Sequence, residues 1–444
     1  MIATRLCTPA RWEDRMKRVI VWLRHHRAAA YVPLCAVALS LTTVSARGAE
    51  KPPIRIGVLA SESGTAASAG HDMVTAWKLY WAEHGDTVDG RKIQFTFYDT
   101  GSDPARALTV ARQAVEQDHV QMIVGPYLAN EGLAVAPYAI EHKVPFLEPT
   151  VSADDLTQRK ANKYVIRVAG WTSSQATHPA GAWAYDKGYR TVVTIADAYA
   201  FGYENVGGFN QTFTDKGGKV LKQIWTPLGN TDYSPYLSQI EAAKPDVVFV
   251  EMVGSDAVNF LKQWHAFGLK GKIPLIANET TTDQSNTRTL PPDVVEGIIS
   301  FGHFAEGRSA PATQEFDTNF AGKTGKLPSY MAAAFFTAAQ WIGDALLKVH
   351  ANVEDTDAFL AAVRSVRLAD SPFGPLQLDA YNNPIENVYV RRIEMVTGPL
   401  AAYGKTWNVV LKTYPNVSQF WNIPPQQYLK QPVYSTTFQG LKTP

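Results

Sequence analysis

Cysteine is almost absent from this sequence: the only two among 444 residues are Cys7 and Cys35, both near the amino end. The chain after Cys35 has no thiol, which excludes disulfides, a cysteine nucleophile and thiolate metal ligands there. Stability must come from a large apolar core, and the 45% of hydrophobic residues can supply one. A chain of this length favours two domains over one.

A basic surplus is also lacking once the first residues are set aside. The formal net charge is +1, but residues 1–46 contain seven Lys or Arg and only two acids. The rest of the chain has 35 basic and 39 acidic residues. We therefore expect no basic surface for nucleic acid.

Long apolar runs are missing except near the amino end. There, a basic stretch precedes the apolar run Ala28–Leu41, which is followed by the small-residue stretch Val44-Ser45-Ala46. This order is typical of a secretory signal peptide, so we predict cleavage after Ala46 and a periplasmic location. An uncleaved membrane anchor is the alternative, although the run is short for a bilayer. Met16 is an alternative start to Met1.

Motifs of common enzyme classes are missing too. The sequence has no G-x-G-x-x-G after its first strand, no Walker loop, no G-x-S-x-G and no H-E-x-x-H among its ten histidines. We therefore predict no enzyme activity, no catalytic residue, no metal site and no cofactor. An exported hydrolase remains a rival, and it would require a nucleophile and a base paired at a cleft.

What the chain does have is a repeated alternation of short apolar runs and amphipathic stretches. The first series begins at Ile54 and the second after Trp171. Strands that alternate with helices imply right-handed crossovers and largely parallel sheets. The predicted fold is α/β, with two doubly wound parallel-sheet lobes. The predicted strands are Ile54–Leu59, Ile93–Tyr98, Gln121–Val124 and Pro145–Leu147, then Thr191–Ala196, Lys219–Ile224, Asp246–Val250 and Pro274–Ala277, with a further strand-like run at Val295–Phe304.

Ligands of open α/β sheets bind outside the carboxyl ends of the strands. The loops at those ends contain small residues, hydroxyls, aromatic rings and a few acids. They are Ser61–Gly70, Gly125–Gly132, Glu148–Asp154, Asp197–Gly202, Glu251–Ser255 and Asn278–Gln284.

Short motifs in a fixed order connect these loops with a known family. They include Ile56-Gly57-Val58, Asp103-Pro104, Val124-Gly125-Pro126, Glu148-Pro149-Thr150, Arg167-Val168-Ala169-Gly170, Asp232-Tyr233-Ser234, Pro245-Asp246-Val247-Val248 and Gly374-Pro375-Leu376. With them the chain from Ile54 to about Asp379 resembles the periplasmic leucine/isoleucine/valine-binding proteins of ABC importers.

The resemblance implies a Venus-flytrap fold, in which two lobes joined by three crossovers close on a ligand by hinge motion. The crossovers are expected near Gly170–Thr172, Gly302 and Pro372–Gly374. The first lobe would then comprise residues 54–171 and 303–372. The second would comprise residues 172–302 and 373–444, including the carboxy-terminal tail.

The resemblance also implies the ligand-binding residues. In the first lobe, Ser152 and the Thr150 backbone match the family's carboxylate-binding positions, whereas Ala129 stands where the family has a serine, with Asn130 beside it. In the second lobe, Phe201 matches an aromatic position with Tyr199 nearby. Two further second-lobe matches are Met252, which replaces a tyrosine, and Glu279, which matches the acid that receives a ligand ammonium.

The predicted function is therefore capture of a small carboxylate, such as a branched-chain or other hydrophobic amino acid, for an ABC permease of the inner membrane. Several family tyrosines are replaced, which enlarges the pocket and leaves an aromatic carboxylate or amide as the alternative ligand. The protein is expected to be monomeric. A sensor of the same fold, which docks a receptor, is a further alternative.

Overall fold

The computed structural model describes residues 51–441. The predicted signal peptide lies outside these residues. The strands are β1 (Ile54–Ala60), β2 (Thr87–Val88), β3 (Arg91–Asp99), β4 (Met122–Val124), β5 (Phe146–Glu148), β6 (Val165–Arg167), β7 (Thr191–Asp197), β8 (Lys219–Thr226), β9 (Val247–Glu251), β10 (Leu275–Asn278), β11 (Ile299–Gly302), β12 (Arg367–Leu368), β13 (Leu376–Leu378), β14 (Pro384–Met395) and β15 (Thr406–Val417).

Helices follow most of these strands. They are α1 (Ala67–His84), α2 (Pro104–Glu116), α3 (Ala129–Glu141), α4 (Ser173–Asp186), α5 (Ala200–Asp215), α6 (Ser234–Ala243), α7 (Gly254–Ala266), α8 (Gln284–Thr287), α9 (Pro292–Val295), α10 (Pro311–Thr324), α11 (Tyr330–Lys348), α12 (Thr356–Ser365) and α13 (Pro425–Tyr428). None of the helices within residues 51–441 is long and apolar enough to cross a membrane.

The first lobe is built on a six-stranded sheet with the order β2-β3-β1-β4-β5-β6. All neighbours are parallel except the short edge strand β2. The central strand β1 is buried at every position but Arg55, as expected for a parallel sheet covered by helices on both faces. Helix α11 packs against α1, although more than 240 residues separate their first residues, so the chain returns to this lobe late.

The second lobe contains the order β12-β13-β14-β11-β10-β9-β7-β8, and β15 pairs with β14. Strands β8, β7, β9, β10 and β11 are parallel, whereas β14 joins antiparallel. The chain therefore passes three times between the lobes, and the predicted two-lobed α/β architecture is confirmed. The exact domain boundaries remain a prediction.

Trp171 lies in the first of these crossovers and contacts residues of the other two. Its ring stacks on His303, in the second crossover, with 4.6 Å between ring centroids. It also lies 6.1 Å from the ring of Phe373, which precedes β13 in the third. All three side chains are buried, so the hinge region is an aromatic cluster rather than a set of solvated linkers.

The structure also corrects several predicted boundaries. The predicted loop Ser61–Gly70 is shorter because α1 begins at Ala67, and the loop Gly125–Gly132 ends where α3 begins. Helices α3 and α4 continue through internal prolines, Pro137 and Pro179, which usually end a helix. The run Val295–Phe304 is a strand only over β11, since Gly297 has a φ of +84° and breaks it.

Candidate ligand-binding cleft

In each sheet, the point at which the strand order reverses lies next to the other lobe. In the first lobe β1 lies between β3 and β4, and in the second β7 lies between β8 and β9. Loops that follow these strands meet across the molecule. The Ser255 amide donates to the Thr65 carbonyl at 3.2 Å, and the Ser68 hydroxyl donates to the Ser285 carbonyl at 2.8 Å. A cleft between the two sets of loops is the expected ligand site of such sheets.

Three tyrosines from different parts of the chain line this cleft. Tyr127 follows β4, Tyr199 caps the start of α5, and Tyr330 opens α11. The Tyr330 hydroxyl lies 3.2 Å from Thr280 Oγ1 and near the Tyr127 ring. Burial raises the pKa of all three phenols above the ordinary value for tyrosine. The tyrosines therefore present neutral hydroxyls at the ends of large apolar rings.

Further aromatic rings extend this surface. Trp171 lies 5.1 Å from the Tyr330 ring, and Phe201 lies 6.0 Å from the Tyr199 ring. Tyr199 and Phe201 belong to the second lobe, yet both join the buried apolar cluster of the first. The two predicted aromatic residues therefore reach across the junction between the lobes.

The predicted carboxylate-binding residues lie at the ends of β4 and β5. Ala129 is the first residue of α3, and Asn130 Oδ1 accepts a hydrogen bond from the Glu131 amide at 3.0 Å. The helix end puts backbone N–H groups at this edge of the first lobe, where negative charge is favoured. Binding of a ligand by Ala129 and Asn130 remains a prediction.

Thr150 and Ser152 follow β5 and are almost wholly buried. The Thr150 hydroxyl donates to the Pro126 carbonyl at 2.9 Å, so its side chain ties two loops of the first lobe together. The Ser152 hydroxyl lies 3.3 Å from the Ser173 hydroxyl at the start of α4. Both residues stand beside the cleft, and their contact with a ligand remains a prediction.

Met252 lies in the interior of the second lobe. Its sulfur atom is 3.6 Å from the Tyr233 hydroxyl and 3.8 Å from the Thr226 hydroxyl. Its amide donates to Thr281 Oγ1 at 2.9 Å. The side chain belongs to the core cluster of this lobe.

Glu279 is buried, and its carboxylate is surrounded by donors from the protein. The amides of His303 and Phe304 donate to it at 3.0 and 2.9 Å, and Arg391 Nη1 lies 3.1 Å from Oε1. Burial alone would raise its pKa, but Arg391 and His303 together hold the pKa below the ordinary value. The glutamate is therefore ionised and fully engaged at neutral pH. Its predicted contact with a ligand ammonium would have to compete with these partners.

Sequence reasoning missed Tyr127, Trp171 and Tyr330. Tyr127 directly follows the motif Val124-Gly125-Pro126, so its position after a strand end could have indicated a cleft residue. Trp171 lies within the predicted first crossover. Tyr330 begins a helix far along the chain, and no local pattern assigns that helix end to the cleft.

No group of three or more His, Cys, Asp or Glu side chains within the described part of the chain is arranged to hold a metal ion.

The family model described as "Periplasmic binding protein" matches residues 53–399. A Leu/Ile/Val-binding protein homolog 6 from Brucella melitensis is 26% identical over 369 residues, which cover 81% of this chain and 92% of that protein.

Two solved structures are similar to the whole two-lobed fold. An ABC transporter substrate-binding protein from Sphaerobacter thermophilus is 30% identical, with a TM-score of 0.76 over 83% of this chain and 99% of that one. A solute-binding protein of an ABC transporter from Rhodopseudomonas palustris BisB5, in complex with 3,4-dihydroxybenzoic acid, is 27% identical, with a TM-score of 0.78 and the same coverage.

Proposed function

The chain belongs to the periplasmic binding protein family, and from that premise we propose that it captures a small aromatic carboxylate between its two lobes for an ABC importer. Membership of this family implies an exported, solute-binding component of an ABC transporter. The class of solute is the part that the proposal adds.

The observation that carries the proposal is the state of Glu279. Because His303, Phe304 and Arg391 already satisfy its carboxylate, it offers no free acceptor to the ammonium of an amino acid. A ligand without an amine needs no such acceptor.

The aromatic surface supports the same class of ligand. Tyr127, Tyr199 and Tyr330 lie near one another at the junction between the lobes, and Trp171 packs against Tyr330. Aromatic pairs contribute about 0.5–1.5 kcal/mol beyond the area that they bury, in offset or edge-to-face arrangements. A flat ring held between these side chains would gain such contacts from both lobes at once and would favour the closed form.

In this proposal, the first lobe binds the carboxylate end of the ligand. At the amino end of α3, the Tyr127 and Leu128 amides already donate to the buried Glu131 carboxylate, so the hydroxyl of Ser152 is the neutral donor proposed for a ligand carboxylate. Such a donor suits an anion that enters and leaves reversibly. A similar protein of 27% identity holds 3,4-dihydroxybenzoic acid, which combines a ring with a carboxylate.

A branched-chain amino acid is the second candidate, favoured by the resemblance to Leu/Ile/Val-binding proteins. It requires an acceptor for the ammonium, and Glu279 would have to exchange a protein partner to supply it.

Calorimetric titration of the purified protein with benzoate, 4-hydroxybenzoate and leucine separates the two candidates. We expect the aromatic acids to bind and leucine to bind much more weakly. A thermal-shift screen gives a second readout, because a ligand at about a thousand times its Kd adds roughly 4 kcal/mol of stability. Binding of leucine with neither aromatic acid bound would overturn the proposal.

A pair of matched variants tests whether binding takes place in the cleft. Tyr199→Leu removes a ring from the cleft. Tyr203→Leu removes a ring from the same helix that faces Trp225 instead, at 4.9 Å between centroids. We expect only the first change to weaken binding of an aromatic acid.

A further inference from the structure

Glu251 is the last residue of β9 and is completely buried beside the cleft. Its Oε2 atom accepts a hydrogen bond from the Asp197 amide at 3.3 Å. Its Oε1 atom has no hydrogen-bond partner anywhere in residues 51–441. Buried acceptors in folded proteins nearly always have a hydrogen-bond partner, so this atom calls for an explanation.

The carboxyl group lies close to two of the cleft tyrosines. Its charge is among the causes that raise the pKa of Tyr199 and Tyr127, after burial itself. Gly202, near the start of α5, packs closely against the Asp197 carbonyl, which a Cβ atom there would approach to 2.0 Å, and the same Cβ would lie 3.0 Å from Glu251 Oε2. Glu251 therefore lies near Tyr199 of the second lobe and Tyr127 of the first.

The protonation of Glu251 limits what it can recognise. Burial, followed by the charges of Asp197 and Asp256, holds its pKa well above the ordinary value. Asp197 is itself occupied by the Val253 amide at 3.0 Å and by the Thr226 hydroxyl at 3.2 Å. The raised pKa favours the protonated form of Glu251, which can both donate and accept a hydrogen bond.

We propose that Glu251 is a specificity-determining residue that hydrogen-bonds to a hydroxyl group on the ligand's aromatic ring. The preferred solute is then a hydroxylated aromatic acid, with its carboxylate at the first lobe and its ring hydroxyl at the second. This inference rests on the proposed function and adds the substituent that the cleft selects.

A hydroxyl suits a neutral acid better than an ammonium does. A hydroxyl donates one bond and accepts others, so it pairs with either oxygen of a protonated carboxyl group. An ammonium has only donors and requires an ionised partner to offset its burial. A ring without a hydroxyl would leave Oε1 as it is, without a partner.

The test compares 4-hydroxybenzoate with benzoate by calorimetry, in the wild-type protein and in two variants. Glu251→Met keeps the size of the side chain but removes both oxygens. It should reduce the preference for 4-hydroxybenzoate over benzoate by about 5- to 150-fold, because the ligand hydroxyl loses its buried partner. Glu251→Gln keeps a donor and an acceptor and should retain most of that preference.

The ratio between the two ligands removes any general structural effect of the substitution. Asp317→Asn is the matched control, since it changes another buried acid whose oxygens have no partner in the described chain, on α10. It should leave the ratio unchanged. If Glu251→Met weakens both ligands equally, Glu251 has only a structural role and the inference is wrong.

The outcomes of this experiment separate the inference from the proposed function. Wild-type protein that binds neither aromatic acid overturns both. Wild-type protein that binds benzoate and 4-hydroxybenzoate, yet does not distinguish 4-hydroxybenzoate from 4-methylbenzoate, overturns only the role of Glu251, even if the Met variant does not fold. Tight leucine binding that Glu251→Gln abolishes would instead assign Glu251 to an ammonium.

Discussion

Arg391 and Glu279 form a buried ion pair, with 3.1 Å between Nη1 and Oε1. Arg391 also donates to the Phe304 carbonyl at 2.6 Å and to the Thr282 hydroxyl at 2.9 Å. The pair joins strand β14 to the end of β10 and to the second crossover. It therefore connects the sheet of the second lobe with the second crossover.

Removal of one partner should destabilise the whole protein. Glu279→Gln leaves the Arg391 charge buried without its carboxylate, which we expect to lower the free energy of unfolding by about 3–5 kcal/mol. Urea denaturation followed by tryptophan fluorescence measures this cost. The double variant Glu279→Gln with Arg391→Met should recover much of it, because no unpaired charge remains. A single variant as stable as wild type would contradict this view of the pair.

Ser152 provides a direct test of the predicted carboxylate site. If its hydroxyl donates to a ligand carboxylate, the bond is charge-assisted and contributes roughly 1.5–3 kcal/mol. Ser152→Ala should then weaken benzoate binding by about 10- to 150-fold in calorimetric titration. Benzamide, which has no charge, should lose less. Equal affinities of the variant and the wild type for benzoate would exclude this residue from the site.

The parallel sheets were predictable because their strands are continuous apolar runs. Strand β7, for example, begins at the predicted Thr191 and ends one residue beyond the predicted Ala196. Helices α3 and α4 are harder to predict from sequence, because a proline inside a helix is normally a stop signal, whereas here Pro137 and Pro179 lie in continuous helices.

The cleft was predictable only in part. Tyr199 and Phe201 stand at a strand end, where topology places ligand contacts. Tyr330 reaches the cleft from a helix that returns late in the chain. Glu279 obtains its counter-ion from Arg391, 112 residues further on, so local sequence shows an acid after a strand and nothing of its partner.

We predict that the stability of the protein depends on pH through Glu306. It is buried, with the Asn408 amide donating to Oε2 at 3.0 Å, and burial raises its pKa to about 7. The folded state then binds this proton more tightly than the unfolded chain, whose glutamate titrates near 4.3. Stability from this group is fully present below pH 4 and is lost as pH rises towards 7.

Comparison with Glu306→Gln isolates that effect. Between pH 4.5 and 7.5 the wild type should lose about 3 kcal/mol of stability relative to the variant, which cannot titrate at this position. Urea denaturation at a series of pH values measures the difference between the two proteins. A difference that stays constant across this range would mean that Glu306 has an ordinary pKa.

We predict that Arg288 links closure of the two lobes to ligand affinity. Its guanidinium, from the second lobe, forms a two-pronged ion pair with Asp72 on α1 of the first lobe, and Asp72 is completely buried. Opening the lobes would break this pair. Arg288→Ala should therefore destabilise the closed form and weaken binding of any cleft ligand by about 10-fold or more, through the population of the closed form.

Lys326 offers the matched control for that prediction. Its ammonium nitrogen lies 2.6 Å from Asp72 Oδ1, but it precedes α11, which packs against α1 in the same lobe. This contact persists when the lobes separate. Lys326→Ala should lower the stability of the first lobe with little effect on ligand affinity. Arg288→Ala should weaken ligand binding with little effect on the stability of the first lobe. Small-angle scattering should reveal a larger radius of gyration for Arg288→Ala at subsaturating ligand. If both variants weaken binding equally, the Arg288–Asp72 pair stabilises the fold and does not control closure.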